Sequence, residues 1–471
     1  MKLRGGYNIF LQGRPGSTIK AMPEPKTLYL PLSSKRFRFS AIHVADGQDV
    51  ALGDVLATDP NNYDVPLLAP RAGSVRLGQV EDTVVLENIA KSQEYADTNG
   101  RMEEVQHVER TFGAAGAQRR RLMMLGAWQF LHEAHSGRLP DPLGTPQAVL
   151  VSTLSLEPFT ARGDVQLQAR LLNFTRGLEH LQSLLEYQPI YFVLPDIKSE
   201  FASIVRNHIR GYASVKMVEL PLTYPYDDFA VLARSLGLSS GNGPVWALRT
   251  EGVLAVDRAL TAGKPCVTRI ISIGGTGVVS PGHLRVVSGY PLKCITDKHV
   301  FEPHPRIING GIMTGEAFGP GALGIDTECR GITVLPELQE REFLGFMRPG
   351  SERSSYWPCF LSSMVQRFAE RLTTAMRGER RPCISCNACE EVCPAGISPH
   401  LIHKYLYRDL VEEAAAARVD LCVECGLCSY VCPSKIDLRA QFVEAKNGIA
   451  REKAEMLETK ARQESTEEVN A

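Results

Sequence analysis

Two cysteine runs near the C-terminal end constrain this chain more than any other feature. The first reads Cys383-Ile-Ser-Cys386-Asn-Ala-Cys389-Glu-Glu-Val-Cys393-Pro394, and the second reads Cys422-Val-Glu-Cys425-Gly-Leu-Cys428-Ser-Tyr-Val-Cys432-Pro433. Three thiols at two-residue gaps, followed by a fourth before proline, form a ligand pattern, and here it occurs twice. A cubane of four irons needs four converging thiolates. Three close cysteines wrap one side of it, and in two-cluster ferredoxins the fourth cysteine of each run serves the other cluster. The spacing therefore predicts two [4Fe–4S] clusters with crossed ligation. Cys383, Cys386, Cys389 and Cys432 are expected around one, and Cys422, Cys425, Cys428 and Cys393 around the other. A pair of zinc sites is the alternative, but zinc usually takes its thiolates as two well-separated CxxC pairs. The repetition has no use in a catalytic nucleophile.

The remaining cysteines, Cys266, Cys294, Cys329 and Cys359, are scattered and read as buried apolar residues. Clustered thiols imply a reducing compartment and metal chemistry, where a disulfide framework would suit a small secreted domain. Helical patterns surround the runs. Phe360, Met364, Phe368, Leu372 and Met376 recur at helical spacing before them. Ser398-Pro399 is a helix start, with a capping hydroxyl and proline in the first turn, and Leu401, Ile402, Tyr405, Leu406 and Leu410 follow it. Asp437 can cap a helix carrying Phe442 and Val443. These patterns predict an all-α ferredoxin domain rather than the small βαβ kind. Beyond about residue 451 the chain is a charged tail poor in apolar residues.

The other domains read differently. At 471 residues, with 44% hydrophobic and 22% charged, the chain has material for several packed cores. A formal net charge of -1 gives no support for nucleic acid or a polybasic membrane surface as partner. Met1–Gly13 lacks the apolar core of a signal peptide, and no apolar run approaches the roughly 20 residues that span a bilayer. Val44–Asp59 and Val65–Val75 are short alternating strands with Gly47, Gly53 and Gly73 read as turns, which predicts a small β-sandwich. The pattern resembles the barrel-sandwich hybrid of biotinyl and lipoyl carriers. The stretch joining its halves, Pro60-Asn61-Asn62-Tyr63-Asp64, has no lysine to modify, so it reads as a structural module.

Thr98–Arg121 is polar and reads as a linker, with Arg119-Arg120-Arg121 as a solvated face. A βαβαβ rhythm follows: strands Ala148–Ser152, Ile190–Leu194 and Val215–Leu220, with helices expected over Val165–Tyr187 and Ser199–Ile209. That rhythm predicts a parallel, Rossmann-like sheet covered by helices. Its glycine loops do not match a dinucleotide fingerprint. Gly274-Gly275-Thr276-Gly277 follows the strand Val267–Ile273, but Ser280-Pro281-Gly282 intervenes before any helix, so it reads as a tight turn. The glycines from Gly310 to Gly321 are spread over an irregular stretch, read as a long loop contacting a partner or ligand.

These pieces, taken in order, resemble a known family. Leu3–Pro15 (LRGGYNIFLQGRP), Val245–Arg269, Arg306–Gly315 (RIINGGIMTG) and Ile332–Gly350 (ITVLPELQEREFLGFMRPG) are similar to the NqrA subunit of the Na+-translocating NADH:quinone oxidoreductase. Within the last of these, Leu335-Pro336-Glu337 and Glu340-Arg341-Glu342 are distinctive. The related C subunit of the Rnf-type ferredoxin:NAD complex shares the eight cluster cysteines, which the familiar form of NqrA has lost. The Rnf subunit carries a GGAGFPT-type flavin loop, and the corresponding place here, Leu122–Pro140, keeps only Gly126 before Trp128 and Phe130. A flavin phosphate needs close backbone approach, so neither FMN nor NADH is expected on this chain.

The resemblance implies a multidomain α/β protein. Its parts are a barrel-sandwich hybrid-like β domain (1–97), a Rossmann-like α/β domain (98–265), a β-grasp-like segment (266–350), an all-α ferredoxin domain with two [4Fe–4S] clusters (351–450) and a charged tail (451–471). It further implies an electron-transfer subunit of a Na+-translocating NADH:quinone oxidoreductase-type complex, with a quinone-interacting role whose residues the sequence does not map. Expected partners are the membrane subunits of a redox-driven ion pump and a flavin-bearing subunit. The expected place is the cytoplasmic, inner face of the cell membrane, held there through those subunits. The alternative is an Rnf C-like flavin and iron–sulfur oxidoreductase that itself takes electrons from NADH.

Overall fold

The computed structural model of the chain describes residues 3–89, 116–185, 188–197, 200–212, 214–338, 372–374 and 379–470. The helix expected through Phe360, Met364, Phe368 and Met376 lies outside these residues, as do Cys359, most of the expected linker and the Glu340-Arg341-Glu342 segment.

Near the N-terminus two small antiparallel sheets face each other. Leu28–Pro31, Thr83–Glu87, Gly73–Arg76 and Asp49–Val50 form one, and Ala41–Ile42, Val55–Asp59 and Val65–Leu68 the other. Leu28, Leu30, Leu56, Leu67, Val75 and Leu86 fill the space between them. Gly47 and Gly53 take positive φ in turns, as read from the sequence. Gly73 instead opens a strand, where a Cβ would stand 2.5 Å from the Glu87 carbonyl oxygen. The hairpin tip holds Pro60–Asn62 as a single 3-10 turn, with the Asp59 carboxylate accepting from the Asn61 N–H at 3.1 Å.

Ala148–Ser152, Ile190–Pro195, Val215–Leu220 and Val245–Arg249 then lie parallel in the spatial order third, second, first, fourth, with His132–Glu133 antiparallel on the edge. Alternate side chains leave opposite faces of a strand. Val149 and Val151 accordingly pack with Phe174, Leu178 and Leu181 of helix Leu171–Leu184, while Leu150 packs with Phe229 and Leu232 of helix Phe229–Ser235. Cover on both faces is why Ala148–Ser152 and Ile190–Pro195 read as apolar runs, whereas the outer strand Val215–Leu220 keeps Lys216 and Glu219 exposed.

Two expectations need correction here. The helix predicted over Val165–Tyr187 is two helices, Gly163–Gln166 and Leu171–Leu184. Ala169 between them has a left-handed φ of 56°, which no right-handed helix continues through. The arginine run is not a solvated face throughout. Arg119 is buried, donates to the carbonyls of Pro142 (2.7 Å) and Gly144 (2.9 Å), and lies over the Trp246 ring, whereas Arg121 is exposed. A planar guanidinium can stack and donate at once, so burial at this spot is feasible.

A six-stranded mixed sheet follows, in the order Ile19–Ala21, Gly282–Val287, Thr268–Gly274, Gly331–Pro336, Pro305–Asn309, Glu316–Ala317. Its first strand comes from the N-terminal segment, which crosses the molecule. That segment also meets the turn after Thr268–Gly274, where the Gly275 N–H donates to the Gly13 carbonyl at 2.9 Å. No helix follows this turn; the next element is the antiparallel strand Gly282–Val287.

The C-terminal region is helical, with Ala388–Glu391, Pro399–Leu406, Val411–Ala416, Leu427–Tyr430 and Leu438–Asn470. Asp437 caps the last helix, accepting from the Ala440 N–H at 3.2 Å. Ser398 stands at the start of its helix but makes no side-chain capping bond. Among the described residues no helix is long and apolar enough to cross a membrane.

Candidate functional site

Each cysteine run takes the same local path. Ser385 and Asn387 have left-handed φ values of 55° and 63°, matched in the second run by Glu424 and Gly426 at 56° and 78°. After each Cys-Pro the correspondence repeats, with Gly396 at 67° and Lys435 at 56°. A left-handed backbone costs an L residue roughly 1–2 kcal/mol. In exchange, alternating right- and left-handed residues turn successive N–H groups into one concavity that suits an anion. The one-turn helices Ala388–Glu391 and Leu427–Tyr430 then carry Cys389 and Cys428 inward.

The eight thiols line two cavities. Cys383, Cys386, Cys389 and Cys432 line one cavity, and Cys393, Cys422, Cys425 and Cys428 line another. The two measure about 340 and 360 Å³, counting the space open at their mouths. Among the described residues no three His, Cys, Asp or Glu groups converge closely enough to hold a single metal ion. Four thiols lining one cavity are the ligand number a four-iron cubane needs.

Backbone N–H groups point at several of these sulfurs. The Glu424 N–H donates to Cys422 Sγ at 3.4 Å. Cys393 faces the N–H groups of Ile397, Ala395 and Gly396, Cys389 that of His400, and Cys425 that of Leu427. Burial nevertheless raises the thiols: Cys389 to about 11, and Cys425 and Cys428 further still. Left alone, these groups keep their protons at neutral pH. A bound iron centre would supply the missing positive charge, so that binding would release protons and be linked to folding. Donor set, cavity and N–H groups all fit an iron–sulfur cluster.

The surroundings of the two cavities differ. The one holding Cys383, Cys386, Cys389 and Cys432 lies at the rim: Ile384 between its first two ligands is 64% exposed, and Cys383, Cys386 and Cys432 are half-buried. His400 lines this cavity, with Nδ1 3.4 Å from a Glu390 oxygen.

The other cavity faces the body of the protein. The Gly6 N–H donates to the Val392 carbonyl at 2.9 Å, and Gly5 lies so close to Cys393 that a Cβ would stand 2.6 Å from its carbonyl. Tyr7 packs on Tyr430, and the Tyr224 hydroxyl donates to the Cys425 carbonyl at 2.7 Å. Arg439 donates to the carbonyls of Glu424 (2.9 Å) and Thr314 (3.3 Å). Thr314 belongs to the glycine-rich loop, which thus touches the cysteine region of its own chain. The Glu157 carboxylate holds that loop, accepting from the N–H groups of Met313 (3.2 Å) and Thr314 (2.7 Å) and from the Thr314 hydroxyl (2.9 Å).

Of the scattered cysteines, Cys329 is buried as expected and Cys266 is half-buried. Cys294 is exposed, contrary to the apolar reading: its helix, Leu292–His299, buries Leu292, Ile295 and His299 and turns Cys294 outward. Sequence reasoning missed Glu157, Tyr224 and Arg439 altogether. Only Arg439 had a local signal, since it lies within a turn of the capping Asp437.

Residues 115–265 match the model of the NqrA second alpha/beta domain, and residues 375–455 match the 4Fe-4S dicluster domain. Among curated proteins, the A-subunit of the Na(+)-translocating NADH-quinone reductase from Alcanivorax borkumensis is 25% identical over 89% of this chain and 92% of its own length. The same subunit from Neisseria gonorrhoeae is 25% identical over 87% of this chain and 89% of its own, and that from Pasteurella multocida 26% over 87% and 88%. Among solved structures, a chain of the NAD+-reducing [NiFe]-hydrogenase matches 49% of this chain and 49% of its own, at 16% identity and a TM-score of 0.37.

Proposed function

Starting from a chain that is similar over nearly nine-tenths of its length to the NqrA subunit of Na+-translocating NADH:quinone reductases and that ends in a 4Fe–4S dicluster domain, we propose that it is the electron-transfer subunit of such a complex, relaying electrons through two [4Fe–4S] clusters. The observation that carries this reading is the convergence of the eight cysteines into two crossed sets of four. In this reading Cys383, Cys386, Cys389 and Cys432 hold the rim cluster, and Cys422, Cys425, Cys428 and Cys393 the body-side cluster. Residues 1–97 form a barrel-sandwich hybrid-like module, 98–265 a Rossmann-like domain, 266–350 a β-grasp-like segment and 351–450 the ferredoxin domain, with a tail from 451. The complex places the chain on the cytoplasmic face of the membrane, against membrane subunits and a flavin-bearing partner, and near a quinone.

Clusters so bound supply one-electron transfer. The chain's residues would shield the body-side cluster more than the rim one. Phe442, Leu427 and Ile402 are fully buried around the cysteines, which limits solvent reorganisation. The N–H groups on the sulfurs favour the thiolate. Trp128 supports the assignment of flavin to a partner. It is fully buried against Trp246 in the segment Leu122–Pro140, with its Nε1–H donating to the Pro140 carbonyl at 3.1 Å. A buried indole there takes the place of the small residues that a phosphate-binding backbone loop needs.

Anaerobically prepared protein is expected to hold about eight irons and eight acid-labile sulfides. Two zinc ions with no visible absorption would overturn the reading. In the same preparation, micromolar FMN binding with NADH-driven bleaching would make the chain a self-contained NADH oxidoreductase instead.

A further inference from the structure

Arg234 belongs to the α/β domain, on helix Phe229–Ser235, yet its guanidinium reaches the cysteine region. Its Nη2–H donates to the Leu421 carbonyl at 2.9 Å, immediately before Cys422. Its other terminal nitrogen, Nη1, is buried and has no hydrogen-bond partner. The charge on this side chain acts on Cys393 and Cys422, and theirs on it, alongside Asp228 and Asp420. A buried guanidinium nitrogen without an acceptor is costly, of the order of 1–3 kcal/mol or more. This guanidinium stands beside the segment that leads into Cys422, where a positive charge has a use, because four thiolates around a cubane carry net negative charge.

We propose that Arg234 is the positioning residue through which the α/β domain sets the reduction potential of the cluster held by Cys393, Cys422, Cys425 and Cys428. This rests on the two-cluster reading above. Reduction adds one negative charge to a cluster, and a fixed cation beside it in a medium of low dielectric stabilises the reduced form. Arg439, which lines the same cavity, acts in the same sense from within the cluster domain, whereas Lys446, which donates to the Cys422 carbonyl at 2.8 Å, is ion-paired with the Glu424 carboxylate. The rim cavity is lined by no arginine or lysine among the described residues, and the cation near it, Lys404, donates to the Ser385 hydroxyl at 2.9 Å. Burial of the body-side cluster works against its reduction, but substitution of Arg234 leaves the other walls in place, so the cation's share can be read alone.

The test is an EPR-monitored redox titration of the full chain, loaded with iron and sulfide, with waves assigned by a Cys425→Ser variant. In Arg234→Gln the body-side wave is expected to move to more negative potential while the rim wave stays. In Arg234→Lys, which keeps a charge but not the planar fork, the body-side wave is expected between the two. Two unmoved waves in either variant, with about eight irons bound, overturn the role of Arg234. So does a shift confined to the rim wave. A wild-type chain without two four-iron clusters would instead overturn the underlying reading, and iron content separates the two failures.

Discussion

The rim and body-side cavities are made by the same local sequence pattern and the same run of left-handed residues, yet their surroundings differ. At the rim Cys383, Cys386 and Cys432 are half-buried and Cys389 is buried, beside an exposed Ile384. On the body side the cysteines are covered by Gly5–Tyr7, Tyr224, the Glu157-anchored loop and Arg439. The difference separates two jobs. Short-range sequence shapes the ligand cage, whereas residues up to several hundred positions away decide what the cage is exposed to.

The sharpest way to break this comparison is to exchange the fate of neighbours in sequence. Cys393 lies beside Cys389 in the first run but lines the body-side cavity. Cys393→Ala is therefore expected to lose the body-side cluster, about four of eight irons, and to leave the rim EPR signal. Loss confined to the rim signal would show that the ligation is uncrossed and that the two cavities are not independent cages.

A smaller effect is expected at Glu157. One carboxylate there serves two backbone N–H groups and a hydroxyl of the loop that covers the body-side cavity. Hydrogen bonds to a charged group contribute about 1.5–3 kcal/mol. Glu157→Gln keeps the shape and one accepting oxygen but loses the charge, and its NH2 stands where Oε2 now meets the Thr314 hydroxyl. Denaturant unfolding should show a loss of about 1–3 kcal/mol, and the body-side cluster should bleach in air faster than in the wild type, with the rim cluster unchanged. Equal acceleration at both clusters would mean that the loop is no specific cover.

What could be read beforehand follows the same division. The cysteine runs carry their own geometry, because each left-handed position and each one-turn helix is local, and three of the four parallel strands were legible, two of them, Ala148–Ser152 and Ile190–Pro195, as apolar runs. Residues that act across the chain left no such trace. Tyr224, Arg234 and Glu157 sit in unremarkable helix or loop contexts, and their partners are about 160 to 200 positions away. Ala169 broke a helix whose apolar periodicity continues on both sides of it, since periodicity reports faces and not the backbone angle of one residue. Arg119 looked like part of a solvated run because a charge repeat carries no information about a tryptophan, Trp246, far along the chain.

The smallest expected effect probes a single bond between the two regions. The Tyr224 hydroxyl, on a side chain only 5% exposed, donates to the Cys425 carbonyl at 2.7 Å. Tyr224→Phe removes this donor and leaves a carbonyl beside the body-side cavity without it, while both clusters keep their ligands. A neutral hydrogen bond of this kind contributes about 0.5–1.5 kcal/mol, so a loss of about 1 kcal/mol is expected, with iron content unchanged. Its pH dependence is a further check. Burial first, and then the negative charges of Glu157 and Cys425, hold the phenol well above its ordinary value of 10.0. With the folded pKa above the unfolded one, the unfolded chain loses its proton first, so the stability due to Tyr224 is fully present below about pH 10 and falls as pH rises beyond it. The deficit of Tyr224→Phe should therefore stay constant between about pH 6 and 9 and narrow above about 10. A deficit that already changes between about pH 7 and 9 would mean that the hydroxyl ionises in the folded protein, and that the contact between the α/β domain and the body-side cavity is not the neutral hydrogen bond described here.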